Sequence, residues 1–144
     1  MKGLTVTRRA LLASTALLAV PARVFAATPS PPGAMAYIIS PRNGAKVHSP
    51  FRVQFGLKGM GVTHAGDEFK NAGHHHLLID VTEPLDPEDA IPSDKNHVHF
   101  GAGQTETILD LPKGPHTLQL VLGDANHVPF NPSVQSPKIH ITVI

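Results

Sequence analysis

Between Ala36 and the C-terminus, apolar and polar residues alternate with a period of two. Phe51, Val53, Phe55 and Leu57 alternate with Arg52, Gln54 and Lys58. His116, Leu118, Leu120 and Leu122 alternate with Thr117, Gln119 and Val121. Ile139, Ile141 and Val143 alternate with Lys138, His140 and Thr142. Each run has the rhythm of a strand with one face buried. Shorter strands are predicted over Ala36–Ser40, His75–Thr82, His97–Phe100 and Thr105–Leu111, separated by turn sequences such as Pro41-Arg42-Asn43-Gly44, Gly59-Met60-Gly61 and Pro112-Lys113-Gly114-Pro115. No amphipathic helix is legible. One short helical turn is expected within Pro84–Asn96, where Pro87 precedes Glu88-Asp89-Ala90. About seven short strands with a turn every ten residues or so predict an all-β domain, an immunoglobulin-like antiparallel β-sandwich, with a small barrel as the alternative.

The N-terminus follows a different pattern. Lys2, Arg8 and Arg9 precede an apolar run from Ala10 to Val20, and Val24-Phe25-Ala26 offers a cleavage site. Residues 1–26 therefore read as a cleavable signal peptide, and Thr7-Arg8-Arg9-Ala10-Leu11-Leu12 fits a twin-arginine signal. The apolar run is about half the ~20 residues of a membrane-crossing helix, so no stable span is expected after cleavage. Clustered prolines make residues 27–35 an extended linker, and the domain is expected to occupy 36–144. The predicted location is the periplasm or another exported compartment.

Cleavage changes the charge. The chain has 12 basic and 11 acidic residues; residues 1–26 hold four of the basic ones and none of the acidic, leaving 8 against 11, a formal charge of −3. A mildly acidic domain offers no electrostatic footprint for nucleic acid. With no cysteine, disulfides and thiolate metal sites are excluded. All ten histidines fall after residue 26.

Those histidines carry the candidate chemistry. In Gly73-His74-His75-His76-Leu77-Leu78-Ile79-Asp80, alternation puts His75 with the core residues and His74 and His76 on the opposite face. The same i, i+2 spacing recurs at His97-Val98-His99. Two such pairs on neighbouring strands would offer four imidazole nitrogens to one metal ion, a donor set suited to copper or zinc. His127 and Asp124 lie in a loop just past a strand, with Asp124 as a ligand or as the group that orients a histidine. The candidate metal residues are His74, His76, His97, His99, His127 and Asp124. Imidazole must be neutral to coordinate, so binding should weaken below about pH 6. His48, His64 and His140 read as exposed strand or loop residues, and His116 as a cap on an apolar face. Gly101-Ala102-Gly103-Gln104-Thr105 lacks the ending of a phosphate loop, and no catalytic residue or organic cofactor is assigned. Glu83, Asp86, Glu88, Asp89 and Asp94 read as solubilising charge in one loop.

Several blocks also resemble a family of exported bacterial proteins known as domain of unknown function 4399. They are residues 73–80, His99 to Thr107 and His116 to Asp124, supported by 39–51 and 56–62. The resemblance runs from about Ala36 to Ile144 and implies no biochemical activity. It shows two departures: Phe130 stands where relatives tend to have a late-loop histidine, and His64 where they tend to have proline. The Ser40–Ala45 opening followed by alternating strands is also similar to periplasmic copper-carrier sandwiches, a likeness of fold that does not fix function. The leading expectation is a periplasmic metal-binding module that sequesters or delivers copper or zinc. The alternatives are a non-catalytic domain that docks on an envelope protein, with structural histidines, and a small metalloenzyme.

Overall fold

A computed structural model describes residues 27–144. The signal peptide inferred for 1–26 lies outside the described residues. Nine strands follow in order: β1 (Met35–Ser40), β2 (Lys46–Val47), β3 (Phe51–Lys58), β4 (Gly61–Val62), β5 (Ala72–Ile79), β6 (His97–His99), β7 (Glu106–Leu109), β8 (Gly114–Gly123) and β9 (Ile139–Val143). Among the described residues there is no helix. The helical turn expected near Pro87 is absent, and 84–96 runs as bends and extended chain. Nine strands stand against about seven expected. The surplus comes from β2 and β4, two-residue pieces too short to show a period, which pair parallel to β9 and β5.

The strands form two sheets, one of order β1-β3-β7 and one of order β2-β9-β8-β5-β4, with β6 also paired to β5. The inward faces supply the core. Phe51, Val53 and Phe55 of β3 meet Leu77 and Ile79 of β5, Leu118, Leu120 and Leu122 of β8, and Ile141 and Val143 of β9. These are the apolar positions of the alternating runs, and their removal from water is the main stabilising term.

β5 departs from simple alternation because both of its faces are covered; every residue from Gly73 to Ile79 is buried. On its outer side Leu78 packs with Val121 of β8 and Ile91 of the 80–96 segment, with Val81 and Leu85 beside them. That segment therefore folds back over the outer face of the larger sheet, which allows His74 and His76 to be buried while pointing away from the main core. The proline-rich stretch read as a linker is extended but docked. Ser30 N–H donates to Asn131 O (3.1 Å) and Asn131 N–H to Thr28 O (2.9 Å). Proline removes some of its own amide donors, but its neighbours keep theirs, and these pair with the late loop.

Candidate metal centre

Strand register brings the histidines together. His99 of β6 lies directly opposite His76 of β5, and His74 opposite Gly123 of β8. Residues opposite each other share a face, so His74, His76 and His99 project to the same outer side. His127 comes from the loop after β8. Ring centres are 4.8 Å apart for His74–His76, 5.0 Å for His74–His99, 5.0 Å for His74–His127, 5.2 Å for His76–His99, 5.9 Å for His76–His127 and 4.8 Å for His99–His127. Four rings from three separate stretches of chain thus meet at one point. Ligand nitrogens of His74, His99 and His127 all lie within 4.8 Å of one another, a triad that could hold a metal ion.

The rings are buried without partners. His74 and His76 are fully inaccessible, and neither ring nitrogen of either residue has a hydrogen-bond partner, nor has Nε2 of His99. A buried polar atom left unpaired costs about 1–3 kcal/mol, and five such nitrogens lie together at this place. Burial is the first cause that holds the rings uncharged. It takes His74 down to about 4, helped by the neighbouring His127 and His99 and opposed by Asp124. It takes His76 down to about 3, helped by His74, His99 and His127 and opposed by the nearby His74 backbone. His99 is also lowered, by burial and then by His127. Neutral imidazole is the form that coordinates.

Local structure explains the convergence. His127 sits in the left-handed region at φ 68°, a conformation sparsely populated by residues other than glycine. Asp124 holds it there. Its Oδ1 accepts the N–H groups of Asn126 (2.8 Å) and Val128 (3.0 Å), its Oδ2 accepts the Thr28 hydroxyl (2.6 Å), and its own carbonyl accepts His127 N–H (2.9 Å). Ile91 N–H donates to His127 O at 2.9 Å, tying the covering segment to the same residue. With Oδ1 committed to the loop and Oδ2 to Thr28, Asp124 shapes the backbone that presents His127; it hydrogen-bonds to none of the clustered rings.

Two glycines make room for the rings. A β-carbon on Gly123 would stand 2.6 Å from His76 Cε1 and 3.4 Å from His127 Cα, and one on Gly101 would stand 2.7 Å from His99 Nε2. The segment Thr63–Asp67 closes over this side. Thr63 N–H bonds Gly73 O (2.8 Å), Ala65 N–H bonds Gly101 O (2.8 Å) and Gly66 N–H bonds Ala125 O (3.1 Å). Apart from one signal, nothing in the pattern of the chain marks Gly101 and Gly123 for this role, or the 63–67 segment as a cover. The one available signal was a glycine ending the apolar face of β8, next to the aspartate already singled out.

His97 stands apart from the four rings. It shares their face but lies one strand step further along, opposite Leu78. Its Nδ1–H donates to Asp94 at 2.9 Å, which holds the Asp94 carboxyl below its ordinary range. His75 faces the main core, its ring centre 5.3 Å from that of Phe55. Phe130 also packs in the main core, so the missing late-loop histidine leaves no gap among the four rings. His48, His64 and His140 are exposed.

The model of the family described as Domain of unknown function (DUF4399) matches residues 53–144. The chain belongs to that family. The DUF4399 match includes all four clustered histidines, both room-making glycines and Asp124. No curated protein and no solved structure matches the chain significantly. Among the described residues no helix is long and apolar enough to cross a membrane.

Proposed function

We propose that this DUF4399 domain is an exported metal-binding module that sequesters or delivers a copper or zinc ion in the periplasm. His74, His76, His99 and His127 are its ligands, and Asp124 is the residue that positions His127. One observation carries the reading: four imidazoles from β5, β6 and the loop after β8 converge, and five of their nitrogens are buried with nothing to bond. The core-facing His75 ring also has unpaired nitrogens, so it is the convergence of four rings that sets this site apart. Imidazole-only donor sets suit copper and zinc. His97, engaged by Asp94, is left out of the ligand set. Export rests on the Lys2–Ala26 pattern of charge, apolar run and small-residue end.

The test is calorimetric titration of the purified metal-free protein with Zn2+ and Cu2+. The expected result is one ion per chain bound more tightly than about 1 μM, with binding lost in a His99→Ala/His127→Ala double variant. Absence of tight binding in the wild type, or an unchanged isotherm in the double variant, removes the reading.

A further inference from the structure

The shape of the ring cluster says more than that a metal fits. An imidazole nitrogen about 2.0–2.1 Å from a metal puts its ring centre about 3.2 Å away, so four rings around a tetrahedral ion have all six centre-to-centre distances near about 5.2 Å. A square-planar ion instead requires four distances near about 4.5 Å and two opposite ones near about 6.4 Å. The six distances run from 4.8 to 5.9 Å. The longest, His76–His127 at 5.9 Å, is complemented by His74–His99 at only 5.0 Å, so no square with two long diagonals can be drawn through the rings.

The residue placed to fill the fourth position is His76. It stands outside the tight triad of His74, His99 and His127, but its ring centre lies 4.8, 5.9 and 5.2 Å from those of His74, His127 and His99, and both of its nitrogens are buried and unpartnered. A three-histidine site that keeps its fourth position open to water is the arrangement of catalytic zinc, whereas a four-ligand site is closed. His76 packs where Gly123 lacks a β-carbon, and Ala65 lies beside the place that the His99 ring takes next to Gly101.

Taking the metal reading as its basis, we infer that the four rings form a closed tetrahedral site that selects a four-coordinate divalent ion, Zn2+ with Co2+ as its spectroscopic surrogate. The site holds the ion without a free position for substrate or water. The protein therefore retains or hands on the ion and does no chemistry with it. Cu2+ can still bind, since it outranks Zn2+ at most nitrogen sites, but it must adopt a geometry it disfavours. Relative affinity is thus a poor discriminator, and coordination geometry is the informative readout.

The experiment is Co2+ titration of the metal-free protein followed by visible absorption. The expected result is the intense d–d bands of four-coordinate cobalt, displaced by one equivalent of Zn2+. In His76→Ala, water takes the vacated position, so the bands should weaken and shift while affinity falls at least about tenfold. X-ray absorption on the zinc-loaded wild type should show four light atoms bonded to the metal and the outer-shell scattering of four imidazole rings rather than three, which keeps the test decisive if His76→Ala fails to fold. Weak six-coordinate bands in the wild type, or a His76→Ala spectrum identical to it, overturn the closed site while leaving metal binding intact. Failure of Co2+, Zn2+ and Cu2+ alike to bind overturns both.

Discussion

The two ends of β5 use histidine in opposite ways. At its start, His74 and His76 enter a group of four rings in which both of their own nitrogens and His99 Nε2 are buried and unpaired. Just past its end, Asp80 meets His116 of β8, and there every group is matched. His116 Nδ1–H donates to Asp80 Oδ2 at 2.7 Å and Nε2–H to Pro112 O at 2.8 Å, while Thr117 N–H donates to Asp80 Oδ1 at 2.8 Å. Both partners of the His116 ring can only accept, so both bonds form together only when the ring carries both protons. Partial burial opposes that charge, but the bonds to Asp80 and Pro112 outweigh it and raise the His116 pKa. A histidine with filled bonding capacity is part of the scaffold. A group of neutral histidines with empty capacity is built for something that arrives later.

The sharpest way to break this comparison is to exchange which histidine is removed. His74→Ala should weaken Zn2+ binding by more than about 100-fold, and His97→Ala or His116→Ala by less than about threefold, since a lost ligand exceeds the 10–100-fold typical of an outer group. Calorimetry on the three variants decides it; equal losses would erase the distinction between the two ends of β5.

Next in size is Asp124→Ala. It removes the acceptor for two backbone N–H groups and a hydroxyl and leaves His127 in an unsupported left-handed conformation. A loss of about 2–4 kcal/mol in urea unfolding is expected, together with weaker metal binding. Asp124→Asn, which keeps one acceptor oxygen, should lose less on both counts.

Gly123→Ala forces a methyl against His76 and the His127 backbone. Overpacking of this kind costs about 1–3 kcal/mol. Metal affinity should fall with stability, whereas a core truncation such as Ile141→Val should lower stability alone.

The dependence on pH should differ in sign between the two regions. In the metal-free protein, His74, His75 and His76 have folded values of about 4, 4 and 3 against an ordinary 6.5. The unfolded chain therefore takes up protons first as pH falls, and stability should decline from about pH 6.5 toward 4. For His116 the folded value is raised, so its contribution is complete below about pH 6.5 and fades as pH rises through that raised value. His116→Gln should accordingly destabilise at pH 6 and have almost no effect at pH 9, as read from thermal midpoints. An effect that grew with pH would show that the ring is not held in its charged form.

Much of this was open to reading along the chain. Alternation at Phe51–Leu57, His116–Leu122 and Ile139–Val143 fixed which residues face the core, because a strand's side chains can only take turns. The i, i+2 spacing of His74 with His76, and of His97 with His99, told which rings share a face. Spacing carries no information about register, however. His76 opposite His99 leaves His97 one step beyond the cluster and within reach of Asp94. The φ of His127, the dual commitment of Asp124 and the room left by Gly101 and Gly123 are likewise facts of contact between distant segments.

Local periodicity and composition were enough to give a chain of strands, the inward row of apolar side chains and a surplus of histidine on one strand face. Which histidines meet and which find ordinary partners was settled in the folded molecule. Pairing register and the covering 63–67 and 80–96 segments set that outcome, and both depend on contacts between residues far apart in the chain.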